Sequence, residues 1–291
     1  MHLLQLPDRP PCRARRRARG VALVAVLLLV AGLIAIATAV VTLSVSQRRA
    51  AQRALEADMR REALDGALRV ALAEIAYGKA EGPFWHPRMP RTVSVGGKRV
   101  EVALERESGR IDLNTADEKF LVAGLVAAGM PEAQARTGAA RIKDWIDADG
   151  KPAANGGAER DQYVQASLPY EPRNAPMENI DEVRQVLGLQ DLSDAALDAF
   201  TVYSQQREPM PSEASTASRA AFDWLAGVAG AGGVNASALP TQLPNASDPV
   251  SYAGSIIRLR ACEENRKTAC RVAIVRMTGS SRQPWSILSW R

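Results

Sequence analysis

Residues 15–45, RRRARGVALVAVLLLVAGLIAIATAVVTLSV, determine how the N-terminal part of this chain is built. The run from Val21 to Val45 contains no charged residue and no proline, and its single glycine is Gly32. At about 1.5 Å per residue, roughly 20 residues cross a hydrocarbon core about 30 Å thick. The sequence therefore predicts one membrane-spanning helix over residues 21–45.

The helical pattern continues beyond the apolar run. Leu64, Leu68, Leu72 and Ile75 recur at the spacing of one helix face, so we expect a single helix over residues 21–78. A cleaved secretory signal would have a shorter apolar region of about 7–15 residues that ends at a small-residue cleavage site. The length and continuity of the run favour a span that leads into an amphipathic helix.

The net charge of the chain is concentrated at its start. The chain has 37 Lys+Arg and 32 Asp+Glu, a formal net charge of +5, and residues 1–20 contribute all of it (six Arg minus one Asp, 6 − 1 = +5). This placement argues against a globally basic nucleic-acid binder. Basic residues usually stay on the cytoplasmic side of a span, so the soluble part is expected on the other side, although Arg48, Arg49 and Arg53 follow the span.

Beyond the long helix, strands flank a helical block. Val93 and Val95 alternate before Gly96-Gly97, and the alternation resumes at Val100, which is typical of a β-hairpin. Three further strand-like runs close the chain: SIIRLRA (255–261), CRVAIVRM (270–277) and PWSILSW (284–290). The predicted fold class is α+β, with an N-terminal helix packed on a small antiparallel sheet and a large all-helical insertion between its strands.

Local signals give the details expected within the insertion. Thr115 and Glu118 are spaced as a capping box, as are Asn179 and Glu182. The other expectations are a helix over 131–148, an ordered loop over 149–175, a helix from Ser193 to about Ser204, a short helix over 219–228 and a flexible loop over 229–249.

An acidic loop follows the second helix of the insertion, with carboxylates at Asp144, Asp147, Asp149, Glu159 and Asp161. Ca²⁺ takes six to eight oxygen ligands from a flexible loop, and carboxylates two residues apart can converge on one ion. The spacing is not that of an EF-hand. From the residues alone, a metal site and a solvated acidic loop are both open.

Seven residues separate Cys262 from Cys270, and the pair lies between two strand-like runs. If this segment is periplasmic, a hairpin disulfide is favoured. A zinc site is disfavoured because the chain has only two histidines, His2 and His86.

The chain lacks the sequence motifs of common enzymes. It has no Gly-x-Ser-x-Gly and no phosphate-binding loop, so it is not expected to be an enzyme; hydrolysis by the loop carboxylates is a remote alternative. The stretch RIDLNTADEKFLVAGLVAAGMPEAQA also resembles the helix–hairpin–helix units of DNA-binding proteins. Its turn has Pro131 and Glu132 in place of an amide donor and a basic residue, so no nucleic-acid partner is expected.

The junction between the arginine run and the apolar run resembles the class III leader of type IV pilins and type II secretion pseudopilins. The resemblance implies that prepilin peptidase cuts between Gly20 and Val21 and that Val21 is N-methylated; the alternative is an uncleaved signal anchor. Most pilins of this class have Glu five residues into the mature chain, where this chain has Ala25. That departure favours a terminal subunit over a repeated interior one.

Three internal phrases, RIDLNTAD (110–117), DWIDADG (144–150) with AERDQY (158–163), and PRNAPMENIDEVRQVLG (172–188), complete the pattern. With the leader and the split sheet, they resemble the minor pseudopilin K family (GspK) of type II secretion systems. The resemblance implies a non-enzymatic subunit at the tip of a periplasmic pseudopilus, with minor pseudopilins of the I and J types as partners. A tip pilin of a type IV pilus or competence system, contacting DNA or a surface, is the alternative.

The same resemblance implies structural Ca²⁺ in the acidic loop, with Asp147, Asp149, Glu159 and Asp161 as ligands and Asp144 in a structural role. It also implies an inner-membrane protein whose bulk is periplasmic. The expected organisation is leader 1–20, span 21–45, helix continuation and first hairpin 46–109, helical insertion 110–228, flexible loop 229–249 and C-terminal strands 250–291.

Overall fold

The computed structural model describes residues 15–78, 85–87, 89–230, 252–264 and 266–291. The chain divides into two compact units, residues 1–61 and residues 62–291. The helices are α1 (Arg15–Tyr77), α2 (Glu118–Ala127), α3 (Glu132–Ile146), α4 (Arg160–Gln165), α5 (Asp194–Leu197) and α6 (Thr216–Gly230). The strands are β1 (Arg91–Val95), β2 (Lys98–Arg106), β3 (Ile111–Asp112), β4 (Phe200–Thr201), β5 (Ile256–Glu263), β6 (Arg266–Met277) and β7 (Trp285–Trp290).

Helix α1 confirms the expected long helix, with 63 residues. Within the first unit, the large apolar side chains from Val21 to Val45 are exposed. By length and composition, this helix could cross a membrane. A continuous apolar surface of this extent is unfavourable in water and suits the interior of a bilayer.

In the second unit, five antiparallel strands form one sheet in the order β1-β2-β5-β6-β7. Gly96 and Gly97 have φ of 57° and 76°, which suits the tight two-residue turn between β1 and β2. Strand β2 pairs with β5 from Val100↔Glu263 to Arg106↔Ile257, so the sheet closes around the intervening insertion. The predicted α+β fold with a sheet split by an insertion is therefore confirmed.

One face of this sheet packs against the second half of α1. Leu64, Leu68 and Leu72 are buried on the helix, and Val102 and Leu104 face them from β2. Fully burying a leucine side chain contributes about 1.5–3 kcal/mol. The leucines that recur every four residues in the helix and the apolar residues that alternate in the strand thus share one core, as the sequence predicted.

The insertion has its own hydrophobic core. Helix α2 packs against α3 and α6, and Phe120, Leu121 and Leu125 of α2 are buried in that core. A Cβ on Gly124 would lie 2.6 Å from the ring of Phe200, so this close approach requires glycine.

The insertion is not entirely helical, which corrects the prediction. Strands β3 and β4 form a two-residue parallel pair that joins its beginning to its middle, with Ile111 opposite Phe200. Because β4 occupies residues 200 and 201, helix α5 ends at Leu197 and does not continue to about Ser204.

The capping box predicted at Thr115 is also wrong. Helix α2 begins at Glu118 after Asp117, and the Thr115 hydroxyl donates to the carbonyl of Gln206 at 3.0 Å. The box at Asn179 and Glu182 is present, but it begins a 3-10 helix, Ile180–Gln185.

Two loop predictions met different outcomes. The loop expected over residues 149–175 contains a short helix, α4. Helix α6 extends the predicted helix to Gly230, and the remainder of the flexible loop expected over 229–249 lies outside the described residues.

A buried group of charges lies where the sheet meets the insertion. The Arg258 Nε of β5 donates to Glu107 at 2.6 Å, and an Arg258 Nη donates to Asp198 at 3.1 Å. Arg110 is fully buried and pairs with Asp198 at 3.2 Å. Burial raises the pKa of Glu107, but Arg258 and Arg110 outweigh burial and hold that pKa below its ordinary value.

Candidate metal centre

The acidic loop begins where α3 ends. Asp147 directly follows Ile146, the last residue of α3, Asp149 comes two residues later, and Glu159 immediately precedes α4. One carboxylate oxygen from each of these three residues lies within 4.8 Å of the others. Asp147 and Asp149 are exposed, whereas Glu159 is buried. The group therefore combines two solvent-accessible carboxylates with one buried carboxylate.

Glu159 is the member of the group whose charge is least compensated by its described neighbours. It is 5% exposed, and its Oε1 is buried without a hydrogen-bond partner in the described part of the chain. Burial, and then repulsion from Asp144, Asp147 and Asp149, raises the pKa of Glu159 to about 7. A carboxylate in such surroundings is stabilised when a cation binds beside it.

The last two turns of α3 hold the loop from two sides. Both carboxylate oxygens of Asp144, which is fully buried, lie 3.1 Å from the amide nitrogen of Ala153. Arg141, one turn earlier, donates to the carbonyl of Gly156 at 3.0 Å and to that of Leu187 at 2.8 Å. These contacts attach the loop to α3 through the backbone groups of Ala153 and Gly156.

Asp161, expected as a fourth ligand, lies outside the group. It is exposed in α4, and its carboxylate is not among those that converge. Glu159 is the N-cap residue of α4 with an extended backbone, whereas Asp161 lies in the first helical turn, so different backbone conformations orient the two side chains. Asp144 lies beside the group, and its carboxylate accepts a hydrogen bond from the Ala153 amide.

Three aromatic side chains next to the loop form a cluster. The rings of Trp145, Tyr163 and Tyr170 lie 6.0–6.4 Å apart between centroids. The Tyr163 hydroxyl accepts a hydrogen bond from the amide of Leu187 at 3.0 Å. The sequence patterns did not predict this aromatic cluster or the role of Arg141. Two signals were available: Trp145 is adjacent to Asp144, and Tyr163 lies four residues after Glu159.

The other site residues lie elsewhere. Cys262 of β5 and Cys270 of β6 are directly opposed in the sheet, with Cα atoms 4.2 Å apart, and they form a disulfide. Gly20 and Val21 lie within α1, and residues 1–14 of the expected leader are outside the described residues. Cleavage at this junction therefore stays a prediction.

Comparison with known proteins connects these features to a family. Residues 107–205, which include the acidic loop, match the family model described as type II secretion system protein K. The match covers 99 of the 291 residues (205 − 107 + 1 = 99), about a third of the chain. The resemblance seen in the sequence is thereby confirmed.

Two relatives named type II secretion system protein K match parts of the chain. The protein of Pectobacterium carotovorum subsp. carotovorum is 48% identical over 50 residues, 17% of this chain and 15% of the relative. The protein of Pseudomonas aeruginosa PAO1 is 31% identical over 113 residues, 35% of this chain and 34% of the relative. The matched segments thus span well under half of either relative.

A solved structure resembles most of the chain. It is titled as the GspK-GspI-GspJ complex of the type 2 secretion system of enterotoxigenic Escherichia coli. The similarity covers 82% of this chain and 98% of that one, with a TM-score of 0.53 and 15% sequence identity. At this identity the comparison establishes a shared fold.

We expect Gly157→Ala to disturb the acidic loop. A Cβ at this position would lie 2.2 Å from an Asp144 oxygen and 2.4 Å from the Ala153 nitrogen, so one of these groups must move. The expected loss is about 1–3 kcal/mol of unfolding free energy, measured by urea denaturation of the detergent-solubilised chain with chelator present. Gly150→Ala is the matched control, because nothing lies within 4 Å of its added Cβ. Equal losses in the two variants would contradict this description of the loop.

Proposed function

We propose that this chain is a minor pseudopilin, a non-enzymatic subunit of a type II secretion pseudopilus. The observation that carries the proposal is the match of residues 107–205 to protein K inside a helix-and-sheet framework that encloses that segment. The exposed apolar run of α1 would hold the subunit in the inner membrane before assembly and pack against partner helices afterwards.

Several features support a place at the tip of the filament. Ala25 stands at the position where most pilins of this class have Glu. The chain therefore lacks a carboxylate that a partner subunit would have to neutralise inside the lipid. The insertion adds a second hydrophobic core to the second unit. We infer that this bulk prevents the subunit from being stacked in the interior of a filament. The soluble part would be periplasmic, where an oxidising environment preserves the Cys262–Cys270 disulfide.

Minor pseudopilins of the I and J types are the proposed partners, because the solved complex of similar fold contains GspI and GspJ beside GspK. We expect the full chain, co-expressed with the I- and J-type subunits of its own organism, to co-purify with both in a stoichiometric complex. Size-exclusion chromatography with light scattering measures the composition. An unrelated single-span protein with the same tag serves as the control. Recovery of an I–J pair without this chain would refute the assignment.

We further propose that the acidic loop binds Ca²⁺. The residues fit a hard cation, since three carboxylates converge and the Oε1 of buried Glu159 has no hydrogen-bond partner. Asp147, Asp149 and Glu159 would hold the ion. When bound, Ca²⁺ would supply the positive charge that these carboxylates lack and fix the loop between α3 and α4.

Ca²⁺ is therefore expected to raise the melting temperature of the full chain relative to chelator. A ligand at 100 times its Kd stabilises the folded state by about 2.7 kcal/mol. Glu159→Gln should abolish the difference without lowering the melting temperature in chelator, because it removes a carboxylate that its neighbours repel. Asp161→Asn, which lies outside the group, should retain the difference. Identical wild-type melting curves with and without Ca²⁺ would count against the site.

Prepilin peptidase is the proposed processing enzyme, with cleavage between Gly20 and Val21 and methylation of Val21. The arginine run directly before an uncharged apolar helix supports this proposal. Intact-mass analysis of the membrane form should show the loss of residues 1–20 and the gain of one methyl group. The mass of an uncleaved chain would support a signal anchor instead.

A further inference from the structure

Three arginines follow the apolar part of α1. Arg48, Arg49 and Arg53, which we call the arginine collar, lie within eight residues after Val45. All three are exposed, and in the described part of the chain they form no hydrogen bond or ion pair. Arg61, in contrast, pairs with Asp58 at 3.7 Å. The collar is thus a local excess of positive charge beside an apolar surface.

Two of the collar side chains, Arg49 and Arg53, lie beside the end of the apolar run. Arg49 and Arg53 line an open groove of about 440 Å³ together with Val41, Thr42, Val45 and Ser46. Side chains of an α-helix lean towards its N-terminus, so an arginine covers the turn that precedes it. The two guanidinium groups therefore lie along the end of the apolar segment and are not directed away from it.

The dimensions suit the polar layer of a bilayer. A helix rises about 1.5 Å per residue, which places Arg48 and Arg49 about 5–6 Å and Arg53 about 12 Å beyond Val45. The polar layer on each side of the hydrocarbon core is about 5–8 Å thick. With its backward lean, each collar side chain can reach that layer.

The distribution of arginines on the two sides of the span also favours an anionic partner at its C-terminal end. Three arginines on this side oppose the orientation that the leader arginines favour. If the leader is removed, no arginine of residues 1–20 remains beside the span, and the collar becomes its flanking basic group. A guanidinium group presents paired donors that match the oxygens of a phosphate.

We propose that the arginine collar binds the phosphate groups of anionic phospholipids in the leaflet at the C-terminal end of the span. The proposal rests on the membrane-spanning part of the proposed function. These contacts set the depth of α1 in the bilayer, and they must break when the subunit leaves the membrane. The collar thereby helps to retain the subunit in the membrane until assembly into the filament breaks these lipid contacts.

The test captures the lipids next to the collar in the full chain. Gln52 is exposed and lies on the helix face between Arg48 and Arg49, so it is replaced by the photo-crosslinking residue benzoylphenylalanine. The protein is reconstituted into phosphatidylcholine vesicles with 20 mol% phosphatidylglycerol, irradiated, and analysed by mass spectrometry. The crosslinker reports on one leaflet, so arginines at the other end of the span do not contribute to the signal.

We expect the ratio of phosphatidylglycerol to phosphatidylcholine among the captured lipids to be about fivefold above the ratio in the vesicles. R48Q/R49Q/R53Q should return the captured fraction to the bulk value. R60Q/R61Q, which changes arginines about two turns beyond Arg53, should keep the enrichment. Inorganic phosphate at 10 mM should leave the enrichment unchanged, because the site takes lipid phosphate.

Each other outcome overturns the proposal in a recognisable way. Equal enrichment in wild type and R48Q/R49Q/R53Q would show that the collar does not select lipid. Crosslinks to a second protein copy in place of lipid would assign the collar to an interface between subunits. Release of the chain by alkaline carbonate would refute the span itself, whereas a carbonate-resistant chain without enrichment would refute the collar alone.

Discussion

The buried ion pair between Glu107 and Arg258 is the constraint on which the second unit depends. Glu107 follows the end of β2, and Arg258 lies in β5, so the pair joins the point where the chain enters the insertion to the strand that follows it. Both side chains are almost fully buried. Removing one partner of such a pair costs about 3–5 kcal/mol, because the other charge is left unpaired in a poorly solvating environment.

Arg110 and Asp198 extend this pair into the insertion. Asp198 follows α5 and accepts from Arg258 and Arg260 of β5 as well as lying 3.2 Å from Arg110. The sheet and the helical core are therefore connected by directional contacts that fix their register, beyond what apolar packing would specify. Through α3, the same core positions Asp144 and Arg141, which hold the acidic loop. The geometry of the proposed metal site thus follows from packing within the insertion.

The sequence predicted those parts of the structure that local patterns determine. Gly96-Gly97 identified the first hairpin because only residues that tolerate positive φ suit such a turn. The predictions failed where the local structure is determined by a contact with a residue far away in the sequence. The Thr115 hydroxyl bonds the carbonyl of Gln206, 91 positions away, and so does not cap α2. The pairing of Ile111 with Phe200 involves only two residues per strand and leaves no periodic signal.

The same division applies to the candidate site. The spacing left a metal site and a solvated loop both open, and the family resemblance favoured the metal site; three of the four expected carboxylates lie together. The position of Asp161 outside the converging group was not foreseen, because its direction depends on the start of α4, a helix too short to produce a clear hydrophobic period. Gly157 was missed because its need for glycine arises from the nearby Asp144 carboxylate, which only the folded loop reveals.

The place where the two ends of the insertion meet has a consequence for the order of folding. The Ser218 hydroxyl near the start of α6 donates to the carbonyl of Gly109 at 2.7 Å, and the amide of Met210 donates to the Ser108 carbonyl at 2.8 Å. Once the insertion has folded, its own contacts hold these ends together, so β2 and β5 need to close a much shorter loop. Since closing a loop costs more entropy as its length grows, the sheet should form after the insertion. The helical domain would then act as an internal template for the strands on either side of it.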